Sequence, residues 1–182
     1  MILIGVMSGG NSRGEEKLLK GLLSSCGKKT VAVQNNKLDC DKIKNLGDAG
    51  VDFLIMTLNK ENIVPVYLDI LILKSCTDIT KGLIKCVAAD TRLIYNIDTG
   101  GMPAFVHPNA ISYGMSYKAE ATASSIDTAC DGISFVYCLQ RPVTALSGSV
   151  ICPGEKKINL PGVRLGIDEI IAAVTCSELC GL

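Results

Sequence analysis

The residues that come nearest to doing chemistry are Ser8-Gly9-Gly10-Asn11-Ser12-Arg13-Gly14. A glycine-rich loop that feeds a helix can turn several backbone N–H groups onto one anion, and the helix dipole favours negative charge at that end. A loop that runs phosphoryl chemistry ends in Lys followed by Ser or Thr, an ammonium for the phosphates and a hydroxyl for a metal. Here those two places read Arg13 and Gly14. A guanidinium still holds phosphate oxygens, but its planar fork does not reproduce a compact ammonium tucked beneath them. Gly14 brings no hydroxyl at all.

Other candidates are plainer. His107, the only histidine, stands beside Pro108 with no Ser or Cys motif near it and reads as a loop residue. Asp39, Asp41, Asp48 and Asp52 read as helix caps and solvated faces, because no acid or base partner is in view. The nine cysteines are scattered with no C-x-x-C pair, so they are expected to be reduced thiols acting as small core hydrophobes. Tyr95, Tyr113, Tyr117 and Tyr137 are expected to pack from strands.

The elements that must position the loop follow from hydrophobic runs. Ile2–Val6, Thr30–Val33, Phe53–Met56, Ile70–Leu73, Leu93–Tyr95 and Ile111–Tyr113 are apolar throughout, as strands covered on both faces are. Between them, Leu18, Leu19, Leu22, Leu23 and Cys26 recur on one helix face, with Gly27 as a stop, and Asp41–Gly47 predicts a shorter helix. Ile167, Ile170, Ile171 and Val174 mark a final helix. This β-α order predicts a three-layer α/β/α domain with a mostly parallel sheet. From about Tyr117 to Leu160 the pattern changes to antiparallel ribbons punctuated by Ser147-Gly148, Pro153-Gly154 and Pro161-Gly162.

Residues 1–182 are expected to form one domain, long enough to bury about 70% of its unfolded surface. Lys plus Arg and Asp plus Glu number 18 each, so no broad basic field points to nucleic acid or an anionic membrane. The opening Met1–Val6 breaks at glycines and reads as a buried strand rather than a leader, and no apolar run nears the ~20 residues of a bilayer span. A cytoplasmic protein is the expectation.

Taken in order, these landmarks resemble the central, ATP-binding domain of the Mur ligase superfamily. The loop Ser8–Gly14 resembles the family's T-G-T-N-G-K-T and keeps Gly9 and Asn11; Asn96-Ile97-Asp98 resembles its N-x-D-D segment. Ser112-Tyr113-Gly114, Asp131-Gly132-Ile133-Ser134-Phe135 and Leu160-Pro161-Gly162 resemble its Y-G, G-x-x-F and L-P-G motifs. The resemblance implies a P-loop-like fold, ATP as cofactor with magnesium beside it, and a nucleotide site at Gly9, Gly10, Asn11, Ser12, Arg13, Gly14, Asn96 and Asp98.

It also implies losses. Thr57 stands where the family has a magnesium-binding Glu, and Ile79 follows Asp78 where it has a histidine. Arg164 and Leu165 replace a histidine and an asparagine near the adenine. No catalytic residue and no metal ligand is therefore assigned. The expectation is a stand-alone, non-catalytic binding or assembly module, forming a homodimer or joined by separately encoded Mur-like domains. The alternatives left open are an ATP-dependent amide ligase, linking a carboxylate to an amine, and a phosphate-sensing module built on Arg13.

Overall fold

Apolar runs without polar alternation need cover on both faces, and all six runs read from the sequence become strands of one sheet. The computed structural model describes residues 1–7, 13–34, 38–60, 63, 65–75, 79–99 and 107–182. Along the chain run β1 (Ile2–Met7), α1 (Arg13–Ser25), β2 (Thr30–Gln34), α2 (Cys40–Asp48), β3 (Phe53–Leu58), β4 (Leu68–Leu73), α3 (Lys81–Ile84) and β5 (Val87–Asn96). There follow β6 (Ala110–Tyr113), β7 (Ala121–Ala129), β8 (Gly132–Leu139), β9 (Val143–Thr144), β10 (Val150–Ile151), β11 (Gly154–Pro161) and α4 (Ile167–Leu179).

The nine-stranded sheet runs β11-β8-β7-β6-β5-β4-β1-β3-β2, while β9 and β10 form a separate antiparallel pair. Strands β2 to β7 and β1 are mutually parallel where they pair; β8 and β11 continue the sheet antiparallel. Strand β1 lies between β3 and β4, so the chain fills one side of β1 and then crosses to the other. The crevice outside the carboxyl end of such a strand is where open α/β sheets take ligands.

Alternate residues of each strand face opposite layers. Ile4, Val6, Phe53, Ile55, Ile70, Ile72 and Ile94 pack with Leu19 and Leu23 of α1 and with α4. On the opposite face, Leu54, Met56, Leu71, Leu73 and Leu93 pack with Ile43 of α2 and Leu83 of α3. The three layers expected from the sequence are therefore present. Helix α4 is buried along most of its length, from Ile170 to Leu179, and packs on α1 as well as on the sheet.

Two local details fix registers. Between Leu68 and Ile70 the pairing of β4 with β5 jumps from Val87 to Arg92. The Thr91 hydroxyl holds the resulting excursion by donating to Leu68 O at 2.6 Å and accepting from Ala88 N at 2.9 Å. Asp39 caps α2, as expected of it, by accepting from Lys42 N at 2.8 Å.

Two expectations are corrected. Of the described cysteines, only Cys86 and Cys176 are buried, while Cys26, Cys40, Cys130 and Cys152 are exposed. These four sit at helix ends and turns, where apolar neighbours in sequence do not imply burial. Tyr117 is 84% exposed in the loop between β6 and β7, whereas Tyr95, Tyr113 and Tyr137 are core residues. Among the described residues, no helix is long and apolar enough to cross a membrane.

Candidate functional site at the carboxyl edge of the sheet

The carboxyl ends of β1, β4, β5 and β6 meet the first turns of α1 and α4 on one side of the molecule. Gly9, Gly10, Asn11 and Ser12, expected in a nucleotide loop, lie outside the described residues, as does Asp78. The backbone of Arg13 opens α1. Gly14 follows it, and a Cβ added there would run into Leu165 Cδ2. The Leu165 side chain thus fills the space in which a hydroxyl-bearing residue at position 14 would sit. Beside this contact a mostly apolar groove of about 460 Å³ runs between α1 and the segment 160–165, with Lys17 and Gly21 along its wall.

At the centre of the edge is an ammonium held by two carboxylates. Lys74, directly after β4, places Nζ 2.9 Å from Glu15 Oε2 and 2.8 Å from Glu169 Oε1. Glu15 is 0% exposed. It sits in the first turn of α1 on the face that carries Leu18, Leu19 and Leu23, so the helix delivers it inward with its apolar neighbours. Glu169 sits in the first turn of α4, where its other oxygen accepts from Gly166 N at 3.3 Å. Burial raises the Glu15 carboxyl above the usual carboxylate range, opposed by the ammonium beside it. Burial of Lys74 works against its charge, but the two carboxylates outweigh it and its pKa is raised.

A second group lies next to the first. Asn96, 3% exposed at the end of β5, accepts from Asp98 N at 2.8 Å and Thr99 N at 3.2 Å through its side-chain oxygen. Asp98 Oδ2 accepts from Met115 N at 2.6 Å and Ser116 N at 3.2 Å, bracing the loop after β6. Gly114 there has φ +149°, and a Cβ on it would meet Asp98 Oδ2 at 2.5 Å. Desolvation and the nearby Asp98 charge raise the Asp168 carboxyl, and its Oδ1 is buried with no hydrogen bond. Burial, with Glu15 close by, also pushes the Tyr113 phenol far up, so it stays protonated. The Thr57 hydroxyl donates to Glu16 Oε2 at 2.6 Å.

Asn96 and Asp98 are therefore joined to one another, and Gly14 belongs to the same edge. Glu15, Lys74 and Glu169 were not expected there. Two signals marked them: a Glu spaced four and eight residues before the buried Leu19 and Leu23, and a Lys that closes the apolar run Ile70–Leu73. Among the described residues, no cluster of three or more His, Cys, Asp or Glu side chains could hold a metal ion.

No family model matches the sequence, and no curated protein matches it. Solved structures do match the fold. The fold is similar to that of Mur ligases. A UDP-N-acetylmuramoyl-L-alanyl-D-glutamate–2,6-diaminopimelate ligase superposes with a TM-score of 0.68 at 14% identity, covering 100% of this chain and 44% of its own. MurF from Acinetobacter baumannii gives 0.68 at 13% identity over 100% of this chain and 43% of its own. MurF from Thermotoga maritima, in complex with ADP, gives 0.52 at 10% identity over 99% of this chain and 45% of its own. The chain thus spans less than half the length of these ligases, and the likeness is one of fold.

Proposed function

We propose that this chain is a degenerate Mur ligase central-domain module that binds or assembles without transferring phosphate. The observation that carries the reading is the Glu15–Lys74–Glu169 bridge. Phosphoryl transfer needs cations aimed at the transferring group. Here the ammonium at the centre of the edge is engaged by the protein's own carboxylates, and those carboxylates occupy the first turns of two helices, where a ligand anion would be drawn. Adding Glu16, Asp98 and Asp168 makes the described edge acidic, which opposes a triphosphate. The magnesium triphosphate of the resembled family does not fit these residues: Gly14 has no hydroxyl, and the Thr57 hydroxyl is committed to Glu16.

A second reading, an ATP-dependent amide ligase with relocated magnesium ligands, is favoured by the same Glu16. Its carboxylate touches Thr57, and so stands beside the place where the family has a carboxylate of its own. The ADP held by the Thermotoga maritima MurF makes ATP the nucleotide to test. Calorimetric titration with ATP, with and without magnesium, separates the readings. The module gives no magnesium-dependent heat. Magnesium-dependent binding that Glu16→Gln abolishes establishes the ligase reading instead, and metal-independent binding lost in Arg13→Ala establishes a phosphate sensor.

A further inference from the structure

One edge of the nine-stranded sheet is the eight-residue strand β11, paired with β8 on one side only. Most of it, including Gly154 to Lys157, is exposed. An unpaired strand edge is a template for another strand, and proteins usually guard it with lysines. The guard here is incomplete, because Glu155 stands among the lysines: the strand reads Gly154-Glu155-Lys156-Lys157-Ile158. Glu155 and Lys157 alternate to the face of the sheet opposite α4, and neither is ion-paired among the described residues. Lys156 points the other way and is bound by Glu178 Oε1 of α4 at 2.7 Å.

We propose that the chain pairs with a second copy of itself along β11, the two strands antiparallel about a two-fold axis at Lys156. A symmetric pair is self-complementary only if each charge meets its opposite across the axis. With the axis at Lys156, Glu155 faces the partner's Lys157 and Lys157 faces the partner's Glu155. The two lysines at the axis each bring their own Glu178, so that face is neutral as well. Ile158 falls opposite the partner's Gly154, where nothing lies within 4 Å of the position a Cβ would take. Moving the axis one residue either way sets Glu155 against the partner's Glu155, or Lys157 against the partner's Lys157. Like charges directly opposite on paired strands are destabilising, and of the axes at residues 155, 156 and 157 only the one at Lys156, whose lysine carries its own Glu178, pairs Glu155 with Lys157.

The pairing does not depend on whether the carboxyl edge binds a nucleotide, and the two stand or fall by different measurements. Sedimentation equilibrium over a micromolar concentration series is expected to show a reversible dimer, with β11 amides protected from hydrogen exchange in the dimer. Lys157→Glu turns two attractive pairs into two repulsive ones and weakens the dimer roughly tenfold or more. Exchanging the charges in the double variant Glu155→Lys with Lys157→Glu restores it. A monomer across the series, a dimer indifferent to Lys157→Glu, a double variant that fails to recover, or a dimer with unprotected β11 amides each overturns the proposal.

Discussion

Replacing Lys74 with Met strands Glu15 in a site with no solvent exposure, 2.9 Å from where its counter-ion was. Removing one partner of a buried ion pair typically costs about 3–5 kcal/mol, because the remaining charge is left uncompensated. The Lys74 side chain is itself 26% exposed, and Glu169 at 29% can turn to water, so the lower end, about 3 kcal/mol, applies. For a domain of this length that is a fall in melting temperature of roughly 6–12 °C. The pH dependence identifies the cause. Without Lys74, the carboxyl pKa of Glu15 rises further above its reference value of 4.5, and the deficit is the work of keeping it ionised or of protonating it. As pH falls from 7 toward that reference, the deficit shrinks by up to about 1.4 kcal/mol per unit. Glu15→Gln in the same background removes the stranded charge and recovers most of the loss. Urea denaturation of the two variants at several pH values reads all of this. A Lys74→Met loss below about 1 kcal/mol, or one that does not change with pH, refutes the assignment of a buried ion pair.

Asp168 is the second test of the edge. Its folded pKa lies above the reference 3.8, so the folded state holds the proton more tightly and stability falls as pH rises from 3.8 through the folded value. Asp168→Asn is therefore expected to melt higher than the parent at pH 7, with the gap closing as pH falls toward 3.8; an equal or lower melting point at pH 7 contradicts the sign. Gly114→Ala forces an L side chain to φ +149° and drives Cβ onto Asp98 Oδ2, so it costs about 1–3 kcal/mol and releases the loop after β6, visible as faster amide exchange at Met115 and Ser116. Glu15→Ala and Glu169→Ala, made together, leave the Lys74 ammonium without its two carboxylates, and inorganic phosphate is then expected to bind where it does not bind the parent protein. A double variant that folds and still ignores phosphate shows that more than these carboxylates excludes it.

The fold was largely legible because its signals are local. Six apolar runs and the spacing of Leu18, Leu19, Leu22 and Leu23 specify strands and a helix, and short connections leave few ways to join them. The early start of β5 at Val87 was hidden, since Ala89 and Asp90 carry no strand pattern and a buried Thr91 hydroxyl, not hydrophobicity, holds that excursion. The site was legible only where one segment contains it. Asn96 and Asp98 are two residues apart and hydrogen-bonded, so a motif could mark them. Glu15, Lys74 and Glu169 come from three segments far apart in sequence, and only the packing of α1 and α4 on the sheet brings them within 3 Å of one ammonium. The exposed Tyr117 shows the opposite error: its neighbours read as strand, yet the turn braced by Asp98 carries it into solvent.

The proposed loss of phosphate transfer is tested most directly by melting the protein with magnesium and ATP. A competent site, with ligand a hundredfold above its Kd, gains about 2.7 kcal/mol, a rise of roughly 5–11 °C for a domain of this size. The Glu15–Lys74–Glu169 bridge predicts no magnesium-dependent rise at millimolar nucleotide. A rise of that size that requires both ATP and magnesium contradicts it.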